Sequence, residues 1–264
     1  MAIEIPKHPI GNEFPQYFKM LKDKGRLDEL VTPQPELVAD EILNEIVRSE
    51  RGTVHILWAD SMFSGKTTTA ILASRGLNQE GIDTFCFQPE AAIRFGEEQK
   101  HRILTNHRKQ ELSLPAITTG NHLEDICTYI ETADMPSNPL IIIDDLMLYV
   151  DHGKKIDEVA NRLEEMQRAG FHVIGTGLTK TFQAEPFTFY QDLVDICEDM
   201  GWFGKEMSTV CVECGNKAKA TRRYIVDEKT NTRRIANYND PYVLAGSHNA
   251  YEPVCVDFHP SCIK

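Results

Sequence analysis

The chain has 264 residues, of which 41% are apolar and 26% charged, and this composition predicts a globular protein with a sizeable core. Its 40 acidic and 28 basic side chains (Lys and Arg) give a formal net charge of −12 at pH 7. That charge argues against a protein that coats nucleic acid, because such proteins need a basic surface. No apolar run is long enough to cross a membrane, and the first residues lack the pattern of a signal peptide. We therefore expect a cytoplasmic location and no membrane partner.

Three zones differ in pattern and predict three units. Residues 1–50 predict a helical N-terminal extension, with helices near Phe14–Leu30 and over Pro35–Ser49, which we interpret as a docking or oligomerising arm. Residues 51–205 alternate strand and helix patterns, which is typical of an α/β fold: a parallel sheet with helices on both faces. Residues 206–264 hold short β-prone pieces that can bury only a small core, so a bound metal would stabilise them.

The elements of the middle zone follow one another as β-α units. The predicted strands are Thr53–Trp58, Thr84–Gln88, Leu140–Asp144 and Phe171–Thr176, and the predicted helices are Lys66–Asn78 and Lys155–Ala169. Gly170 stands where a left-handed residue commonly ends a helix. In the tail, strands are expected at Ser208–Val212, Arg223–Val226 and Thr232–Ile235.

The segment between the first strand and the first helix of this zone has the pattern of a phosphate-binding loop (P-loop). It consists of Asp60, Ser61, Met62, Phe63, Ser64, Gly65, Lys66 and Thr67. Backbone N–H groups of such a loop bind the phosphate oxygens of ATP, while Lys66 would reach the β- and γ-phosphates and Thr67 would coordinate Mg²⁺. Asp60 replaces the first consensus glycine, so its carboxylate must point away from the phosphates or be neutralised. The pattern predicts that the middle zone is a P-loop nucleotide-binding domain.

Two carboxylates end the apolar strand that begins at Leu140. Asp144 matches the aspartate that holds Mg²⁺ in P-loop proteins. Asp145 could accept the proton of an attacking hydroxyl, which is the role of a general base in phosphoryl transfer. The alternative is that Asp145 is an ordinary loop or helix-capping acid.

Cysteines in the tail predict a structural Zn²⁺ site. Cys211 and Cys214 form a C-x₂-C pair, and Cys255 supplies a third ligand. The fourth ligand is either His259 or Cys262, and the spacing does not distinguish them. The other three cysteines, which lie in apolar strand or helix patterns, are expected in the core: Cys86, Cys127 and Cys197.

Together these motifs resemble the zinc-containing (type II) thymidine kinases, over about residues 51–262. The matching segments are Met62–Thr67, Arg94–Gly96 with Asn106–His107, Ile143–Asp145, Gly177–Phe182 with Pro186–Phe187, Val210–Gly215 with Ala220–Arg223, and Ala245–Gly246 with Tyr251–Cys255. The resemblance implies transfer of the ATP γ-phosphate to the 5′-hydroxyl of thymidine or a related deoxypyrimidine nucleoside. It also implies a homotetramer, and a zinc-stapled, β-rich lasso domain over residues 206–264 that closes on the base.

The same resemblance implies roles for single residues. Asp145 falls at the position of the catalytic glutamate, and Arg94 falls near the phosphates. The residues that would surround the nucleoside are Leu148, Leu178, Phe182, Thr221, Leu244, Gly246, Ser247 and Tyr251. Asp145 in place of glutamate and Asp60 in place of glycine indicate a divergent member, such as a viral or phage copy.

Two other functions fit parts of the sequence. A non-catalytic nucleotide-binding module, or pseudo-kinase, would agree with the shortened acid at Asp145. A P-loop ATPase acting on nucleic acid would need a basic track, for which the tail offers two Arg pairs, Arg222–Arg223 and Arg233–Arg234. These pairs are more simply a solvated β-ribbon face or contacts to phosphate or a neighbouring subunit, so no nucleic-acid partner is expected.

Overall fold

The computed structural model describes residues 34–92, 102–107, 110–150, 156–227, 232–237 and 251–259. Its helices are α1 (Gln34–Arg48), α2 (Lys66–Gln79), α3 (Leu123–Thr132), α4 (Met147–Val150), α5 (Ile156–Arg168) and α6 (Thr188–Ile196). Its strands are β1 (Val54–Ala59), β2 (Thr84–Pro89), β3 (Arg102–His107), β4 (Gln110–Pro115), β5 (Ile117–Thr119), β6 (Leu140–Ile143), β7 (His172–Leu178), β8 (Phe203–Glu206), β9 (Ala220–Asp227), β10 (Thr232–Ile235) and β11 (Tyr251–Val254). None of the helices in these ranges is both long and apolar enough to span a membrane.

Six parallel strands form the main sheet, in the order β5-β2-β6-β7-β1-β8. The central strand β6 has four consecutive apolar residues, all buried. Ile141 and Ile143 join the core on one face, and Leu140 and Ile142 join the core on the other, because side chains alternate along a strand. Helices α1 and α2 cover the second face, while α3, α5 and α6 cover the first. The predicted α/β sheet with helices on both faces is confirmed.

Helix α1 is part of the core of its own chain. It begins at Gln34 and ends at Arg48, close to the predicted helix, and it buries Val38, Ala39, Ile42 and Ile46. These residues pack on α2, where Gly76 lets Leu43 approach so closely that a Cβ there would overlap it. The helix expected near Phe14–Leu30 lies outside the described residues. Residues 34–48 therefore dock within the molecule.

Several other predictions can be compared with the structure. The four predicted strands of the middle zone and its two helices are confirmed to within two residues at their ends. Gly170 has a φ of 92°, so the left-handed helix end is also confirmed. The sequence analysis missed strand β8, β5 and the β3–β4 hairpin, which are short or mixed in polarity. The strand predicted at Ser208–Val212 was wrong: only a bridge between Val210 and Lys217 forms, because the segment turns at its cysteines.

The tail folds as an antiparallel sheet in the order β10-β9-β11. Its small core contains Cys211, Ala220, Val254 and Cys255. The division into units at residues 50 and 205 stays a prediction, but the tail sheet lies against the main sheet's P-loop: the Met62 N–H donates to Thr221 Oγ1 at 3.0 Å.

Two buried histidines share one hydroxyl at the amino ends of the central strands. Thr53 Oγ1 lies 2.8 Å from His55 Nε2 and 3.0 Å from His172 Nδ1. Burial, and then the charge of His172, lowers the pKa of His55 to about 3, and burial also lowers the pKa of His172. Both rings are therefore neutral at physiological pH, and a proton on His55 would put a positive charge into a buried site.

We expect the free energy of unfolding to fall as the pH drops below about 6.5, the ordinary pKa of a histidine in an unfolded chain. The unfolded chain then binds a proton that folded His55 excludes, so the stability present above pH 6.5 is lost as the pH falls toward the folded pKa of about 3. The slope for one histidine is at most about 1.4 kcal/mol per pH unit. Denaturant unfolding between pH 7.5 and 5.5 should show a smaller loss in His55→Gln than in the wild type. His122→Gln, outside this pair, is the control; equal losses in all three proteins would contradict the assignment.

Candidate functional site

The P-loop connects the carboxyl end of β1 to α2. Gly65, which precedes the helix, has a φ of 89°, and Phe63 has a φ of 62°, so two left-handed residues turn the backbone. Successive N–H groups in such turns form an anion-binding concavity at a helix N-terminus. Lys66 is buried and its Nζ donates to Ser64 Oγ at 3.1 Å. Pro35 of α1 covers the loop from behind, since a Cβ on Gly65 would lie 2.5 Å from Pro35 Cγ.

The carboxylate of Asp60 is held by the loop that follows β7. Thr179 Oγ1 donates to Asp60 Oδ1 at 2.6 Å, and Lys180 Nζ donates to Asp60 Oδ2 at 2.8 Å. Both oxygens are thus engaged, and the charge lies beside an ammonium group. This arrangement supplies the neutralisation that an acid at the first position of the loop requires. Thr179 and Lys180 were not identified from the sequence as partners of Asp60; they follow β7, the strand that pairs with β1.

Asp144 connects the P-loop to the centre of the sheet. Its Oδ1 accepts hydrogen bonds from Thr67 Oγ1 at 2.9 Å and from Thr176 Oγ1 at 2.7 Å. The structure therefore brings together the two residues predicted to hold Mg²⁺, at the carboxyl edge of the parallel sheet, where ligands of open α/β sheets bind.

Asp145 is buried and has a φ of 51°, an uncommon conformation for a residue with a side chain. Its N–H donates to Thr176 Oγ1 at 3.2 Å, and its carbonyl accepts from the Leu148 N–H at 2.8 Å. One hydroxyl, that of Thr176, thus orders both acids of the pair. Strained conformations of this kind are commonly found at functional sites. Sequence analysis missed Thr176. A usable signal was present, because Thr176 is a polar residue at the end of the predicted strand Phe171–Thr176, and such a residue can contact the acids that end a neighbouring strand.

The described residues expected around the nucleoside come from three segments. Leu178 ends β7, Phe182 follows it, and Thr221 and Tyr251 lie on the paired strands β9 and β11. The ring of Phe182 lies under the guanidinium of Arg223, with 4.1 Å between Cζ and the ring centroid. Leu148, the fifth described residue of this predicted nucleoside set, lies on α4 and packs against the core.

Five predicted site residues lie outside the described part of the chain: Arg94, Leu244, Gly246, Ser247 and Cys262.

Three of the predicted metal ligands meet in the tail. The Sγ atoms of Cys211, Cys214 and Cys255 all lie within 4.8 Å of one another. Burial acts to raise the pKa of Cys211, but hydrogen bonds from the backbone of Cys255, Cys214 and Glu213 outweigh it and lower the pKa, which favours the thiolate that a metal needs. Clustered thiolates suit Zn²⁺, so this group could bind zinc. Cys86 and Cys197 are buried in the two main cores, and Cys127 packs against one of them, as expected.

His259, the other candidate ligand within the described residues, is buried but does not join this group of thiols. Its Nε2 donates to the carbonyl oxygen of Phe182 at 2.6 Å.

Comparison with known proteins identifies relatives of the chain. A family model described as thymidine kinase matches residues 52–259. A thymidine kinase of Ureaplasma urealyticum serovar 10 is 31% identical over 199 residues, which is 75% of this chain and 78% of the relative.

Solved structures show weaker likenesses. The ORC2 protein of Aeropyrum pernix, in its complexes with ADPNP and ADP, has a TM-score of 0.39 at 13% identity, with 69% of this chain and 49% of that chain covered. The cytoplasmic domain of the Type VII secretion ATPase EccC of Thermomonospora curvata has a TM-score of 0.37 at 14% identity, with 70% and 24% covered. This chain therefore spans half or less of those proteins, and likenesses of this size carry no functional argument.

We expect metal analysis of the purified protein to give about one Zn²⁺ per chain. Cys214→Ser should lose the zinc and lower the temperature at which the tail unfolds, because a three-thiolate site then keeps only two of its described ligands. Cys127→Ser, on α3 outside the cluster, is the matched control and should keep its zinc. Substoichiometric zinc in the wild type, or equal zinc in the two variants, would contradict the site.

Proposed function

The chain belongs to the thymidine kinase family, and we propose that it transfers the γ-phosphate of ATP to the 5′-hydroxyl of thymidine, or of a related deoxypyrimidine nucleoside, to give the 5′-monophosphate. The observation that carries the proposal is the junction at Asp144 and Asp145, where the P-loop hydroxyl of Thr67 meets an acidic pair. A phosphate-binding loop beside a buried carboxylate is what phosphoryl transfer from a nucleotide needs.

The P-loop would bind the phosphates of ATP through its backbone N–H groups, and Lys66 would neutralise charge on the β- and γ-phosphates. Thr67 and Asp144 would hold Mg²⁺, which when bound offsets the negative charge of the phosphate oxygens. Arg94 is proposed to lie near the same phosphates. Catalysis by this chain would then consist mostly of positioning and charge neutralisation, as in other P-loop enzymes.

Asp145 would take the proton of the nucleoside 5′-hydroxyl as the oxygen attacks the γ-phosphorus. Its backbone is fixed by Thr176, so the carboxylate enters the reaction from a defined position. Aspartate is one methylene shorter than the family's glutamate. The left-handed backbone at Asp145 gives this chain a way to place the shorter acid, and we propose that it compensates for the missing length.

The nucleoside would lie between the loop after β7 and the tail sheet. Phe182 and Leu178 offer apolar surface, and Thr221 and Tyr251 offer hydroxyl groups. The proposed lasso, which includes Leu244, Gly246 and Ser247, would close over the base and exclude water, which otherwise competes as phosphoryl acceptor.

Zinc would staple the base of this lasso through Cys211, Cys214 and Cys255, with His259 or Cys262 as fourth ligand. A structural metal replaces the large core that so short a tail cannot form. We further propose that the enzyme is a cytoplasmic homotetramer.

Phosphate transfer from radiolabelled ATP to thymidine, deoxyuridine and deoxycytidine tests the function directly. We expect labelled monophosphate with at least one of them. Asp145→Asn should lower kcat by ~10²–10⁴-fold while nucleoside affinity changes little, because only proton acceptance is removed.

Each other result excludes part of the proposal. ATP binding without transfer to any nucleoside would make the chain a nucleotide-binding module. Stimulation of ATP hydrolysis by DNA would favour an ATPase that acts on nucleic acid. Unchanged turnover in Asp145→Asn would remove Asp145 from the chemistry.

The ion pair of Asp60 and Lys180 should matter for ATP binding. We expect Lys180→Ala to weaken ATP binding by roughly three- to tenfold, because the Asp60 carboxylate would then face the phosphates uncompensated. Adding Asp60→Asn to that variant should restore the affinity. The control is Lys217→Ala, which removes a more exposed ion pair, with Glu206, away from the loop. Calorimetric titration with ATP measures all four proteins, and failure of Asp60→Asn to reverse the loss would refute the explanation.

A further inference from the structure

His259 contacts the loop that follows β7 rather than the thiols of its own segment. It comes directly after the short helical turn Val256–Phe258, only four residues beyond Cys255, yet neither of its ring nitrogens joins the cluster of three sulfur atoms. Its Nε2 donates to the Phe182 carbonyl at 2.6 Å, and the ring is 1% exposed.

The backbone partner of His259, Phe182, belongs to the residues that the proposed function places around the nucleoside. Phe182 is also held on its ring side, because the buried Arg223 guanidinium lies 4.1 Å from its centroid. Thr221 in turn accepts from the P-loop at Met62. The buried imidazole thus joins the end of the tail to the loop that follows β7, and Arg223 of β9 contacts the same loop.

We propose that His259 is a positioning residue and not a zinc ligand: it fixes the backbone of Phe182, so that the tail sets the shape of the nucleoside pocket. This inference rests on the proposed function, because only that function makes the pocket a nucleoside pocket. The hydrogen bond between His259 and the Phe182 backbone, which we call the clamp, does not depend on it.

The chemistry of the ring makes the two roles separable. A zinc-bound histidine offers the lone pair of one ring nitrogen to the metal and can still donate the N–H of the other to a carbonyl oxygen, whereas a positioning histidine needs only that N–H. A glutamine amide can replace Nε2–H as a donor at similar reach, but it is a poor ligand for zinc. His259→Gln should therefore behave differently under the two assignments.

The experiment compares His259→Gln and His259→Ala with the wild type in three measurements. Zinc content should stay at the wild-type level in both variants, and Cys214→Ser is the matched variant that should lose zinc. The KM for thymidine should rise about tenfold in His259→Ala, as expected for one lost hydrogen bond to a buried group, with the KM for ATP and kcat nearly unchanged. His259→Gln should restore most of the thymidine KM.

Amide hydrogen exchange in the absence of ligands provides a readout that does not need activity. The N–H of Thr181 bonds to the Glu185 carbonyl and that of Phe187 to the Thr179 carbonyl, both at 2.8 Å. These two amides should exchange faster in His259→Ala than in the wild type or His259→Gln, while amides of α2 do not change.

Zinc loss in His259→Gln would overturn the proposal, because a donor-retaining variant should keep the metal. Retained zinc with unchanged exchange at Thr181 and Phe187 would overturn it as well. Faster exchange with retained zinc would support the clamp even if no nucleoside is phosphorylated, and in that case the proposed kinase function fails while the clamp stands. If His259→Ala does not fold, zinc content and exchange of His259→Gln still decide between the two roles.

Discussion

The site depends on the hydrogen bonds that converge on one carboxylate at the end of a buried parallel strand. Asp144 accepts from Thr67 on α2 and from Thr176 on the neighbouring strand, and Thr176 in turn accepts from the Asp145 backbone. Because the sheet buries β6 on both faces, the acids can emerge only at its carboxyl edge. Hydrogen bonds to a charged group are among the stronger ones in proteins, so this junction sets the distance between the P-loop and the acidic pair.

The tail extends this organisation by binding to the loops instead of forming a large core of its own. It reaches the P-loop through Thr221 and the loop after β7 through Arg223 and His259. Its own stability comes from a small apolar cluster and three clustered cysteines. The position of the tail therefore depends on these contacts with the loops as much as on its own core.

Sequence reasoning succeeded where one local pattern determines structure. The strand–loop–helix context of Lys66, the apolar run before Asp144 and the C-x₂-C pair at Cys211 each predicted an observed feature. It could not find contacts between side chains that are far apart along the chain. Lys180 lies 120 residues from Asp60, and nothing in either local sequence shows that one neutralises the other. The same holds for His259, whose spacing from Cys255 suggested a metal ligand while its ring bonds to a loop 77 residues away.

Helix α1 lies outside the residues that match the family, 52–259, yet it bears on the P-loop. Pro35 packs against Gly65, and the side chain of Gln34 bonds to the backbone of both Glu206 and Ser208. A truncated protein that begins at residue 52 would expose the apolar surface of α2 to water. It would also lose the packing of Pro35 against Gly65. The segment before the family region is thus an integral support of the glycine turn, and a truncation that spares every residue of the P-loop would still disturb it.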